Sequence, residues 1–177
     1  MKATRRHHLH LILGGARSGK SHYAEQLARD SGKQVIYLAT AKVLDNEIAA
    51  RVARHKQDRP AHWKTVEEPL QLADALQQWA APEHIILLDC LSMWLMNLLS
   101  ESSTTLLADE QKKLLQILPE LNGDCLLVSN EVGMGIIPMG ALTRQYVDEA
   151  GRLHQQLAQL ADRVTLMVAG LAHKIKP

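Results

Sequence analysis

Apolar residues gather in five short runs, His8 to Leu13, Gln34 to Ala39, His84 to Leu88, Cys125 to Val128 and Val164 to Ala169. None alternates apolar with polar as a half-exposed strand does, so each is expected to be a strand covered on both faces. Between them lie stretches with helical spacing: Ser21 to Ala28, Asn46 to Lys56, Leu70 to Trp79, Glu110 to Leu118 and Ala141 to Leu160. Strand alternating with helix predicts a parallel α/β sheet. The polar stretch Ser100 to Thr105 follows the apolar Trp94 to Leu99 and reads as a loop within one domain.

The chain has 177 residues, 46% of them hydrophobic, enough for one sizeable core and hardly for two. One domain over residues 1–177 is expected, with 1–10 as a flexible N-terminal extension. Twenty Lys and Arg nearly cancel nineteen Asp and Glu, so no global field exists to hold nucleic acid or a membrane surface. The basic start leads into too short an apolar stretch for a signal peptide, and no segment approaches the roughly 20 apolar residues of a membrane span. A cytoplasmic protein is expected. Cys90 and Cys125 border apolar runs, far from any ligand at metal spacing, and are expected to be buried free thiols.

Gly14, Gly15, Ala16, Arg17, Ser18, Gly19, Lys20 and Ser21 satisfy G-x-x-x-x-G-K-[ST] between a predicted strand and a predicted helix. Glycines let the backbone curl so that its N–H groups face phosphate oxygens, and the helix adds its positive end. Lys20 supplies a full charge, and Ser21 an oxygen for Mg²⁺. A P-loop works with a carboxylate from a second strand, and Ile85 to Leu88 would deliver Asp89 to the carboxyl edge, where open α/β sheets bind ligands. Asp89 as metal ligand competes with Asp89 as cap of the following helix.

Along the helix predicted for Asn46 to Lys56, Arg51 and His55 stand four residues apart, and Arg54, Lys56 and Arg59 complete a basic cluster suited to a polyphosphate. Cations around an imidazole favour its neutral form, which leaves a ring nitrogen free to attack phosphorus. A solvated histidine in a charged helix is the competing reading of His55. Asn130 to Gly135, after a strand and rich in glycine, reads equally as a lining of the substrate mouth or as a flexible loop.

Taken together, these residues resemble the bifunctional adenosylcobinamide kinase and adenosylcobinamide-phosphate guanylyltransferase family. The resemblance runs from Leu11 to Lys176. It rests on the P-loop, Tyr37 to Ala41, Arg51 to Arg59, Trp63, Glu67-Glu68, Leu88-Asp89-Cys90, Asn97, Val128 to Pro138, Arg144, Gly151 and Ala169-Gly170. It implies a RecA-like P-loop NTPase fold, a mostly parallel sheet with helices on both faces. It also implies two reactions: phosphorylation of adenosylcobinamide by ATP or GTP, then transfer of GMP from GTP through a GMP-histidine at the position of His55. Nucleotide contacts carry over to Gly14 through Ser21, to Ala39, Thr40 and Ala41, to Lys56, Gln57, Asp58 and Arg59, to Glu67 and to Asp89. A homo-oligomer, typically a trimer, is implied as well. Ser92 stands where the family often has threonine, Val52 where isoleucine is usual and His154 where asparagine is usual, which leaves the role of His154 open.

Two other functions fit a P-loop. A small-molecule kinase without a covalent intermediate would lose little with His55. A GTPase switch or nucleic-acid motor would need a guanine-reading Asn-Lys-x-Asp or a broad basic, aromatic surface, and neither is present.

Overall fold

The structure, a computed structural model, describes residues 8–42 and 59–177. The helix expected for Asn46 to Lys56, and with it His55, Lys56, Gln57 and Asp58, lies outside the described residues. Within them the strands are β1 (Leu9–Gly14), β2 (Gln34–Ala39), β3 (Lys64–Glu67), β4 (His84–Asp89), β5 (Asp124–Asn130), β6 (Arg163–Val168) and β7 (Leu171–Lys176). The helices are α1 (Lys20–Asp30), α2 (Leu72–Trp79), α3 (Leu91–Leu99), α4 (Leu106–Ile117) and α5 (Ala141–Leu160). One sheet runs β3-β2-β4-β5-β1-β6-β7. Every neighbouring pair is parallel except β6 with β7. The α/β class with a mostly parallel sheet is as expected.

Successive strand residues point to opposite faces, and the two faces build two cores. Leu9, Leu11 and Leu13 pack with Ile36, Leu38, Ile86, Leu88 and Leu127 under α2, α3, α4 and α5. On the other face Ile12, Tyr37, Leu87 and Val128 meet Ala24 and Ala28 of α1. Those alanines, four apart on one stripe, bring α1 close to the sheet. The same spacing buries Tyr146, Ala150, Leu153, His154 and Leu157 on α5.

Three elements differ from the sequence reading. Helix α3 is buried on most sides, with Leu91, Trp94, Leu95 and Leu98 all inside, and a helix apolar all round shows no amphipathic period to detect. Strand β3 is a short polar edge strand, and β7 an exposed antiparallel one, so neither carries an apolar run. Leu9 and His10, counted with the N-terminal extension, belong to β1.

His10 stands beside the apolar Leu126 on β5 and Arg163 on β6. It is buried, its Nε2 lies 2.8 Å from Thr165 Oγ1, and burial, aided by the cations of Arg163 and Lys174, lowers its pKa from 6.5 to about 4. The native state therefore binds fewer protons than the unfolded chain between pH 6.5 and 4. Stability is expected to be highest above pH 6.5 and to fall, by up to about 3 kcal/mol, as acid carries the protein down to pH 4, below which the loss levels off. Urea unfolding across that range in a phosphate-free buffer checks this: His10→Gln should flatten the slope. Parallel loss in both proteins would place the acid sensitivity elsewhere.

Candidate active site

The P-loop closes on itself between β1 and α1. A Cβ at Gly14 would lie 2.5 Å from Ser18 Oγ and 2.6 Å from the Met167 carbonyl, so only glycine fits there. Gly19 has φ 94° and Arg17 φ 56°, both left-handed, and a Cβ at Gly19 would approach Gly170 Cα to 3.3 Å. The Gly170 N–H donates to the Ser18 carbonyl at 3.0 Å, fastening the loop to the β6–β7 turn. No side chain caps α1 at Gly19, which leaves the first-turn N–H groups for an anion. Lys20 Nζ donates to the Gly15 carbonyl at 2.6 Å. Burial lowers its pKa, with Cys90 and Asp89 acting the other way. Ser18 Oγ is buried and has no hydrogen-bond partner among the described residues.

Asp89 ends β4, one strand beyond β5 from the P-loop strand. Tyr37 OH donates to its Oδ2 at 2.9 Å, and burial, with the Asp89 charge, pushes the Tyr37 pKa up, so the phenol stays a donor. The residue at the start of α3 is Cys90, and no side chain caps that helix. The alternative of Asp89 as a helix cap is thereby removed. The Arg59 guanidinium stacks 3.3 Å over the Tyr37 ring, and its Nε and Nη1 are buried without a hydrogen-bond partner among the described residues. Arg59 and Glu67 line one cavity of about 430 Å³ with Pro60, Ala61, Trp63 and Thr65.

Thr40 lies close by, its hydroxyl bonded to the backbone of Cys90. Its hydroxyl donates to the Cys90 carbonyl at 2.7 Å and accepts from the Cys90 N–H at 3.1 Å, and Thr40 is fully buried. Asn97 Nδ2 donates to the Thr40 carbonyl at 2.8 Å and to that of Pro69 at 3.0 Å. Thr40 thus fixes the backbone that follows Asp89, with its own side chain already bonded. Cys90 keeps some exposure, while Cys125 is buried; both are free. Burial pushes the Cys90 thiol up to about 11 and Cys125 to about 12, so neither is a thiolate at neutral pH.

Sequence reasoning missed a second hydrogen-bonded group at this edge. Asn130 pairs with Gly14 across the β5–β1 ladder, and the Glu131 N–H donates to the Gly14 carbonyl at 2.9 Å. Ser92 Oγ accepts from the Asn130 N–H at 2.6 Å and lies 3.3 Å from Ser129 Oγ. His154 Nε2 stands 2.8 Å from that same Ser129 Oγ, and burial lowers the His154 pKa against the opposing pull of Glu131. Two of the three positions that depart from the family pattern, Ser92 and His154, therefore meet at Ser129. The signal in the sequence was a polar Ser129 closing an apolar run, with its partners 37 residues before and 25 after it.

From Gly14 on β1 to Glu67 on β3 the carboxyl rim crosses four strand spacings, roughly 19 Å. The P-loop, Asp89, the Ala39 to Ala41 turn and Glu67 are placed along one edge of the sheet, with Arg59 stacked over Tyr37 of β2.

A glycine-rich loop opening a helix, with a carboxylate at the end of a parallel strand two places away, defines a P-loop NTPase. The fold agrees with solved structures of that class: the P4 protein of bacteriophage phi6 in complex with ADP (TM-score 0.53, 15% identity, 94% of this chain and 54% of that one) and a solved ATPase domain (TM-score 0.52, 14% identity, 92% and 69%). Within that class, the chain belongs to the cobinamide kinase / cobinamide phosphate guanyltransferase family, which it matches over residues 10–175. It is 52% identical to the bifunctional adenosylcobalamin biosynthesis protein CobP of Pseudomonas aeruginosa, over 94% of this chain and 96% of the relative. To the corresponding CobU protein of Escherichia coli it is 41% identical, over 94% and 98%. It is a transferase of cobalamin biosynthesis with two activities, cobinamide kinase and cobinamide-phosphate guanylyltransferase. Among the described residues no helix is long and apolar enough to cross a membrane.

Proposed function

We propose that both reactions use the nucleotide site at the carboxyl rim, and that guanylyl transfer to give adenosylcobinamide-GDP passes through a GMP-histidine on His55. The observation that carries the site is a pair of polar groups orphaned among the described residues, Ser18 Oγ in the P-loop and the Nε and Nη1 atoms of Arg59, which stacks over the Tyr37 ring. Buried donors without partners are costly, and phosphate or nucleoside oxygens would satisfy both. Gly14 to Ser21 hold the β- and γ-phosphates in this reading. Ala39, Thr40 and Ala41, Arg59, Glu67 and Asp89 hold the remainder of the nucleotide, with Lys56, Gln57 and Asp58 contributing beside His55. Incubation with α-labelled GTP, denaturation and peptide mapping tests the covalent step: label on His55 supports it, and label on Lys20 or Lys56 overturns it.

Mg²⁺ fits the donors present. Ser21 and Asp89 offer hard oxygens, and no three His, Cys, Asp or Glu cluster as a protein-only cage among the described residues, as suits an ion held largely by phosphates and water. Bound there, it would neutralise charge developing on the phosphates. Asp89→Asn keeps an acceptor for Tyr37 and is expected to fold. It should raise the Mg²⁺ needed for half-maximal kinase rate by about tenfold or more. An unchanged magnesium titration would remove Asp89 from the metal's ligands.

The loop after β5 lines the mouth for the corrinoid. Met134, Ile136, Ile137 and Met139 are all exposed along it, an apolar rim of the kind a large ligand covers. The chain acts as a homo-oligomer, a trimer by family resemblance. Exposed Leu171 and Ile175 on the edge strand β7 support burial against another copy.

A further inference from the structure

At the opposite end of the sheet from the P-loop, a cavity of about 360 Å³ opens between α1 and the β6–β7 edge, lined by His10, Tyr23, Leu27, Arg163, Thr165 and Lys174 among others. The ladder sets the side chains there. His10 pairs with Arg163 across β1–β6, and Thr165 with Lys174 across β6–β7. Lys176, also on the wall, is committed to the carbonyls of Ala158, Gln159 and Ala161 at 3.0, 3.2 and 2.5 Å. Arg163 and Lys174 are not so committed: among the described residues neither has an ion-pair or hydrogen-bond partner. Two positive charges thus flank a buried imidazole whose Nε2 is taken by Thr165 and whose Nδ1 has no partner among the described residues. When Thr165 donates to Nε2, the neutral ring carries its proton on Nδ1 and becomes a third donor. Tyr23, whose ring stands edge-on to His10 at 6.3 Å, completes the wall.

We propose that this cavity binds a phosphate-type dianion, held by Arg163, Lys174 and the Nδ1–H of His10, at a site separate from the nucleotide site. Arg163 suits two oxygens at once and Lys174 adds a compact charge. Leu27 and Pro177 make up the rest of the wall, and the same two cations add to burial in holding His10 down at about 4. A bound dianion reverses that field and stabilises the imidazolium, so binding is linked to proton uptake by His10.

The test follows the His10 ring by NMR, assigned through bonds, while inorganic phosphate is added over the millimolar range at constant ionic strength. This signal is local, so phosphate in the P-loop does not contribute to it. The ring resonances should shift saturably, and the His10 titration midpoint should rise from about 4 toward the ordinary 6.5. Arg163→Ala/Lys174→Ala changes two exposed side chains and should keep the fold. In that variant the midpoint should rise without phosphate and cease to respond to it. Lys174→Glu, which places a carboxylate at the mouth, should raise the midpoint and also remove the response. The proposal is overturned if phosphate leaves the wild-type ring unmoved, if chloride moves it equally, or if the double variant responds as the wild type does.

Discussion

Lys20→Ala is expected to lose about a thousandfold or more in kcat/KM for cobinamide phosphorylation and to lose guanylyl transfer with it. The reason is electrostatic. A triphosphate brings several negative charges to the end of β1, and Lys20 is the ammonium that the P-loop sequence itself carries there. In the structure that ammonium is held on the Gly15 carbonyl at 2.6 Å, a bond that phosphate oxygens would replace at little conformational cost. Burial already lowers its pKa, which marks a charge kept partly out of water, where its interaction with a phosphate is strong. The variant should fold, since the glycine contacts and the Gly170–Ser18 hydrogen bond that shape the loop do not involve the lysine side chain. Steady-state rates for both half-reactions, with an unfolding curve as control, decide the matter. Near-normal turnover in either one would mean that the two reactions do not share this loop.

The second large effect is selective. His55→Ala should lose covalent labelling by α-labelled GTP and guanylyl transfer, while keeping a substantial part of kinase activity, because the P-loop and Asp89 are untouched. Phosphorylation breaks the bond to the γ-phosphorus, and GMP transfer breaks the bond beyond the α-phosphorus. One fixed pose cannot easily align both. The proposed relay would solve this: an imidazole nitrogen would attack the α-phosphorus with loss of pyrophosphate, and the cobinamide phosphate oxygen would then displace the histidine. The stored bond is a phosphoramidate, expected to be labile in acid and to resist base. Its formation should fall as the imidazole protonates below about pH 6.5, or lower where the Arg51, Arg54, Lys56 and Arg59 cluster depresses that value. Retention of acid-labile GMP by the variant would assign the nucleophile to another residue. Equal loss of both activities would instead mean that His55 serves binding in general.

Much of the candidate site was legible because it is contiguous. Gly14 to Ser21 declare a phosphate site through local backbone demands, and Asp89 declares itself by closing an apolar run. The residues that hold these in place are scattered: Tyr37 on Asp89, Thr40 and Asn97 on the Cys90 backbone, Ser92, Ser129 and His154 beneath Asn130. Each is a single polar group inside an apolar or helical segment, and nothing in its own neighbourhood says what it will touch.

The same physics divides the fold. Short apolar runs read as strands buried on both faces where they alternate with stripes at i, i+3, i+4 that read as helices, so β1, β2, β4, β5, β6, α1, α2 and α5 follow from local pattern. Local pattern carries no signal for α3, apolar all round, or for β3 and β7, whose stability comes from a neighbour's free edge and not from their own side chains. Strand order likewise belongs to the tertiary structure. Inserting β5 between β1 and β4 sets Asn130 against Gly14 and spreads the site over five strands, and adding β7 antiparallel to β6 places Lys174 opposite Thr165. These are pairings across 116 and nine residues of sequence, the first set by the apolar surface that β1 and β5 bury together and the second by the free backbone edge that β6 offers, properties of the whole chain and of no segment of it.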